Sequence, residues 1–244
     1  MGRAGVVLVA GVLLAAARLG PGAPAADAYP SYDHAKVLGT VTHARNRLAL
    51  TFDDCGDAAA WRSILATLHA RGLHATFFCI GQAVLAHPTL ARRVRADGDM
   101  LCNHSWSHPD LATLGAAAIA RQIRETRSVD ARAGSRCSYI RPPYGSYNRT
   151  VLQLAGQLGY QRAALWSVDP RDWQRPGVAV ITRRVLSASG SGSIVIMHCL
   201  PQTAQALPAI VRGLHSRHLM PVALSTLVRI GDPGAGWWPR YSSL

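Results

Sequence analysis

The stretch Arg47-Leu48-Ala49-Leu50-Thr51-Phe52-Asp53-Asp54 is a short, mostly apolar run closed by two acids. Its length and its bounding residues predict a buried strand. Asp57 then opens a helix with Trp61, Ile64, Leu65 and Leu68 at helical spacing, and Gly72 closes it. A second strand follows over 75–80, then a helix over 82–96 that Pro88 interrupts. The rhythm continues with a brief strand at 100–102, a long amphipathic helix over 114–133, and a strand at 138–141 stopped by Pro142-Pro143. Helices over 150–158, 178–187 and 205–217 alternate with strands over 162–168, 194–197 and 220–224. About seven strand–helix units joined by short connections predict a parallel sheet with crossover helices. So many units in one domain favour a (β/α) barrel over an open doubly wound sheet. No Gly-rich phosphate loop follows the first strand, so a dinucleotide-binding fold gains no support.

Every unusual polar cluster falls just after a predicted strand. Asp53-Asp54 follows the first, His104 and His108 the third, Arg141-Pro142-Pro143-Tyr144 the fourth, Asp169-Pro170-Arg171-Asp172-Trp173 the fifth and His198 the sixth. Each alone has an ordinary structural reading: an N-cap, a surface pair, a rigid turn, a core histidine. Strand C-termini of a parallel barrel open on one face, so clusters scattered in sequence would converge in space. Two histidines four apart supply two imidazoles, and Asp54 supplies a carboxylate. Two histidines and one carboxylate, with room for a water, is the open composition of a catalytic metal site.

The chain has 244 residues, 49% of them hydrophobic and 16% charged, which argues for a packed globular protein. Residues 1–28 read as a secretory signal peptide: Arg3 is the positive region, 6–17 the apolar run, and Ala23-Pro24-Ala25 or Ala26-Asp27-Ala28 the cleavage site. The expectation is a secreted or cell-wall-associated protein with no membrane insertion after signal removal. Residues 29–46 read as an irregular lead-in, 47–228 as the single domain and 229–244 as an irregular tail in which Trp237-Trp238 packs against the barrel or is poorly ordered, a carbohydrate platform being the alternative. Net charge is +13, with Lys36 the only lysine. The arginines are scattered and export is expected, so nucleic acid is not the expected partner. Five cysteines in an exported chain leave at least one unpaired if all bonds are internal, and no CxxC pair points to a cysteine-held zinc.

These five clusters, in this order, resemble the motifs of the polysaccharide deacetylases with a NodB-homology domain, carbohydrate esterase family 4. The resemblance spans roughly 47–227. It implies a distorted (β/α) barrel that removes acetyl groups from N-acetylglucosamine polymers such as peptidoglycan or chitin, or O-acetyl groups from xylan. A non-catalytic carbohydrate-binding member is the reading of a different class. The resemblance implies that Asp54, His104 and His108 hold a divalent metal, zinc, which activates water and polarises the acetyl carbonyl. It implies that Asp53 is the general base, that Arg141 holds it ionised, and that the Tyr144 N–H stabilises the oxyanion. His198 would protonate the leaving amine, held protonated by Asp172 with Asp169 as a competitor. Trp173, Tyr144 and Trp106 would line the sugar groove, and the protein would act as a monomer. The family usually has glycine where Cys55 stands and a small residue at Cys102, which suggests a Cys55–Cys102 bridge across the first and third strands. The other histidines, His34 among them, match no motif.

Overall fold

The computed structural model describes residues 30–235; the signal segment and Trp237-Trp238 lie outside the described residues. In chain order the elements are β1 (Lys36–Leu38), β2 (Thr40–Thr42), β3 (Arg47–Asp54), α1 (Ala58–His69), β4 (Thr76–Cys79), α2 (Gly81–Ala86), α3 (Pro88–Ala96), β5 (Met100–Asn103) and α4 (Ala116–Arg132). Then come β6 (Tyr139–Ile140), α5 (Arg149–Gln157), β7 (Arg162–Ala164), α6 (Val178–Ala188), β8 (Ile194–His198), α7 (Pro201–Ser216), β9 (Met220–Pro221), α8 (Leu224–Ile230) and β10 (Asp232–Gly234). Seven parallel strands run in the order β1-β7-β6-β5-β4-β3-β8, and β9 adds to the start of β3. The sheet curls until the chain leaving β7 reaches its far edge: Val168 bridges Val195, and the Ile196 N–H donates to the Val168 carbonyl at 3.0 Å. This is a distorted (β/α) barrel in a single domain.

The alternation of side chains along β3 sets what the barrel holds. Leu48, Leu50 and Phe52 face outward, packed with Trp61, Ile64 and Leu65 of α1 and with Leu207 and Ile210 of α7. Ala49 faces inward and packs with Phe78, Cys102, Tyr139 and Ile194. The same period of two sends Thr51 and Asp53 inward. Leu224 and Leu227 of α8 join the inner cluster and cover the end where β3 begins. The active-face end is thereby left to polar residues.

Local chemistry explains the helix bounds. The Asp57 side chain accepts the Ala60 N–H at 2.9 Å and caps α1. Pro88 cannot donate to a preceding carbonyl, so the expected helix over 82–96 splits into α2 and α3. Three expectations need correction. The lead-in is not irregular throughout: β1 joins the sheet beside β7, and β2 pairs antiparallel with β10 from the expected tail. The strand over 220–224 stops at Pro221, because α8 begins at Leu224. Only 162–164 of the strand over 162–168 stays regular, because the chain must bend toward β8.

The disulfides also differ from the expected pair. Cys55 joins Cys79, with Cα atoms 5.2 Å apart, and Cys102 joins Cys137 at 5.3 Å. Side-chain direction decides this. Cys55 and Cys79 both belong to the outer cluster, and β3 and β4 are neighbours with Asp54 opposite Cys79. Cys102 lies on the inner face of β5, one strand further away. Cys199 is free and buried. Non-reducing peptide mapping should find 55–79 and 102–137 bridges with a free Cys199. The double variant Cys55→Ala/Cys79→Ala should lose about 2–4 kcal/mol of stability in chemical denaturation.

Candidate active site

The strand ends bring the predicted residues together around a groove of about 1600 Å³. Asp53, Asp54, His104, His108, Tyr144, Trp173 and His198 all line it. Alternation would send consecutive Asp53 and Asp54 to opposite faces. Asp54 departs from it with φ +70°, and Cys55 follows at +64°. Ser105, His108 and Tyr144 also have φ near +60° (63°, 61° and 60°). With Arg171 (53°), six of the eleven non-glycine residues in the left-handed region among the described residues lie at or beside this groove, a backbone conformation that is costly away from glycine.

Arg141 is fully buried and is the hub. Its Nη1 donates to Asp53 Oδ1 at 2.6 Å and to Thr51 Oγ1 at 2.8 Å. Its Nε and Nη2 donate to the Ala164 and Leu165 carbonyls, each at 3.0 Å. The guanidinium lies 4.2 Å from the Phe78 ring centre. Burial pushes the Asp53 carboxyl above its ordinary range, opposed by the Arg141 charge and hydrogen bond. The carboxylate is thus basic yet paired, as a proton acceptor requires.

Asp54, His104 and His108 each offer one ligand atom, and these atoms lie within 4.8 Å of one another. Asp54 Oδ1 stands 3.6 Å from Nε2 of each histidine. His104 Nδ1 is 2.7 Å from the Arg141 carbonyl, which can only accept. The proton therefore sits on Nδ1, and the Nε2 lone pair faces Asp54. Burial, outweighing Asp54, lowers His104 to about 3, so it is neutral. Asp54 Oδ1 is buried with no hydrogen-bond partner. A buried carboxylate oxygen left unpaired beside two imidazole nitrogens fits a divalent cation.

On the neighbouring strand β8, where His198 stands in register with Asp53, His198 Nδ1 meets Asp172 Oδ1 at 2.7 Å. Asp172 Oδ2 accepts the His198 backbone N–H at 2.7 Å and the Thr203 hydroxyl at 2.5 Å. Burial works against the charged ring, but the hydrogen bond and charge of Asp172, with Asp53 and Asp54, raise His198 to about 9. Asp169 does not compete: its Oδ1 accepts the Arg171 N–H at 2.7 Å.

Tyr144 and Trp173 are 63% and 55% exposed and offer apolar faces to the groove. The Tyr144 ring stands edge-on to His108 at 4.7 Å between centroids. Trp106 is not a groove residue. Gln122 Oε1 accepts the Trp106 and Ser107 N–H groups at 2.8 and 3.0 Å, drawing the loop over α4. The indole packs so close to Gly81 that a Cβ there would meet it at 2.5 Å. Sequence reasoning missed Thr51, Asn103, Gln122, Trp166 and Thr203. Thr51 was accessible, being two residues before Asp53 on one strand. Asn103 braces the metal-ligand loop, accepting the Ser105 N–H at 2.8 Å and donating to the Tyr160 hydroxyl at 2.8 Å. Thr203 and Trp166 carry no sequence signal.

The polysaccharide deacetylase family profile matches residues 40–163. The chain belongs to the polysaccharide deacetylase family. A chitooligosaccharide deacetylase of Rhizobium leguminosarum bv. trifolii is 41% identical over 185 residues, covering 69% of this chain and 85% of that one. The Bc1960 peptidoglycan N-acetylglucosamine deacetylase superposes with a TM-score of 0.75 at 30% identity, over 80% of this chain and 92% of that one. A CE4 family pseudoenzyme of Bacillus anthracis superposes with a TM-score of 0.71 at 27% identity, over 75% of this chain and 65% of that one. The first two relatives are hydrolases of N-acetyl amide bonds, whereas the third shows that the fold persists without activity, so the side chains must decide.

An acid catalyst works while protonated, so with His198 in the expected role of acid the alkaline limb of the rate profile follows its ring. Asp172→Asn should lower that limb by about one pH unit or more, because the anion that favours the imidazolium is gone. Thr203→Val should lower it less, and Thr203→Ser should restore it. A kcat–pH profile on the three variants checks this.

Proposed function

We propose that the chain is an exported, zinc-dependent deacetylase of polysaccharides that contain N-acetylglucosamine. One observation carries the reading: a buried base and a charged acid flank a ligand trio within one groove. Binding alone would require neither the Asp53–Arg141 pair nor the His198–Asp172 pair, which separates this chain from a non-catalytic member. Two disulfides and the apolar leader sequence support export. The net charge of +13 suits an anionic cell-wall polymer such as peptidoglycan.

Asp54, His104 and His108 would hold the ion, whose Lewis acidity toward a water and an acetyl oxygen is the chemistry it supplies. Asp53 takes the proton of the attacking water, with Arg141 fixing Oδ1 and leaving Oδ2 to the groove. The Tyr144 N–H is assigned to the developing oxyanion. His198 delivers a proton to the amine nitrogen as the carbon–nitrogen bond breaks, because an unprotonated amine leaves poorly. Asp172 and Thr203 keep that ring charged and aimed. The products are acetate and a free amino sugar. Trp173 and the Tyr144 ring present apolar surface to the sugar faces.

Acetate release should be measured with zinc and with chelator on peptidoglycan, chitooligosaccharides and acetylated xylan in parallel. The expected result is chelator-sensitive release from a glucosamine polymer; release from xylan alone would replace the amidase reading with an esterase one. Asp53→Asn should cut kcat by about 10²–10⁴-fold while zinc stoichiometry stays at the unsubstituted level. His104→Ala should lose the zinc, as read by elemental analysis of the purified protein.

A further inference from the structure

The groove has a wall outside the stretch that matches the family, which begins at residue 40. Asp33 and His34 line the groove, and both are exposed. The segment that carries them is built into the fold. The Tyr32 N–H donates to the Gly156 carbonyl at 3.0 Å, the Ala35 N–H to Leu152 at 2.8 Å and the Lys36 N–H to Gln161 at 3.0 Å. Ala35 is fully buried between them. Gly156 is what allows the approach, since a Cβ there would stand 2.5 Å from His34 Cα. This strap therefore lies directly on α5, whose Leu152 and Gln153 line the same groove.

The chemistry of this wall is a carboxylate, an imidazole, the Arg149 guanidinium and an amide around an apolar Leu152. Hydrogen-bonding groups carried on an anchored backbone beside apolar surface can orient a hydroxyl-rich ring. Size agrees: 1600 Å³ exceeds the roughly 300–1,000 Å³ of a pocket that encloses one small ligand. The groove has room for more of a polymer than the unit being cut. We propose that Asp33 and His34, carried on the strap, form a further subsite that binds a sugar unit beyond the one deacetylated. The subsite rests on the deacetylase reading for the identity of the polymer. It would make this chain favour longer substrates.

The test is the affinity of N-acetylglucosamine oligomers, from the dimer to the hexamer, measured by titration calorimetry on zinc-loaded Asp53→Asn protein, whose residual turnover is slow beside the titration. Affinity should climb with length, and adding Asp33→Ala/His34→Ala should remove about tenfold of the gain, as two lost hydrogen bonds would. Asp33→Asn/His34→Gln, which keeps hydrogen-bonding groups, should restore part of it. An unchanged length dependence in the Ala pair overturns the subsite, and so does failure of every oligomer to bind. Acetate release by the unsubstituted chain is followed in parallel. Oligomers that bind with a strap-dependent gain but are never deacetylated would support the subsite and count against the proposed activity instead.

Discussion

The site depends on one buried cation. Arg141 is sealed from water, and its guanidinium joins three strands: Thr51 and Asp53 on β3, its own exit from β6, and the carbonyls at and after the end of β7. A buried charge is costly unless it is paired and hydrogen-bonded, and here it is paired with Asp53 and donates four hydrogen bonds. Removing one partner of such a pair typically costs about 3–5 kcal/mol, because the other is left stranded. The backbone of the same residue accepts from His104 Nδ1. The proposed base and one proposed metal ligand are therefore positioned through one residue. A shift of Arg141 would disturb proton transfer and ligand orientation together.

Around that hub, backbone strain is held by covalent and polar braces. Asp54 and Cys55 adopt left-handed conformations that a glycine would take more readily. The Cys55–Cys79 bridge ties this bend to the end of β4, so the chain beyond Asp54 cannot relax away from the site. On the opposite loop, Asn103 and Ser105 do the same work by hydrogen bonds: the Ser105 hydroxyl accepts the His108 N–H at 3.1 Å. A carboxylate and two imidazoles from separate strand ends thus meet within one ion's reach.

Much of this was legible in the sequence. Strand–helix alternation gives the barrel, and polar clusters at strand ends give Asp53, Asp54, His104, His108, Arg141, Asp172 and His198 as one constellation. What escaped was set by direction and by long-range pairing. Spacing along the chain does not say that Cys102 points inward while Cys55 and Cys79 point outward, so the wrong bridge looked reasonable. β1, β2 and β10 are three residues each and find their partners only across the fold, leaving no periodicity to read. Trp106 has a groove-like sequence position but is turned away by Gln122, sixteen residues along the chain. Thr203 reaches Asp172 from the first turn of α7, a contact that no local pattern announces.

The histidines show how little chemistry is fixed by residue type. His104 and His198 are both largely enclosed, and burial works against the charged form in each. They diverge through what Nδ1 meets. A backbone carbonyl opposite His104 fixes the tautomer without supplying a countercharge strong enough to offset burial, and the ring falls to about 3. A carboxylate opposite His198, itself saturated by the His198 amide and the Thr203 hydroxyl, supplies that countercharge, and the ring rises to about 9. One imidazole is thereby kept neutral, as the proposed ligand must be, and the other charged, as the proposed acid must be, in one groove. The charge state of each ring follows from its burial and its neighbours rather than from its being histidine.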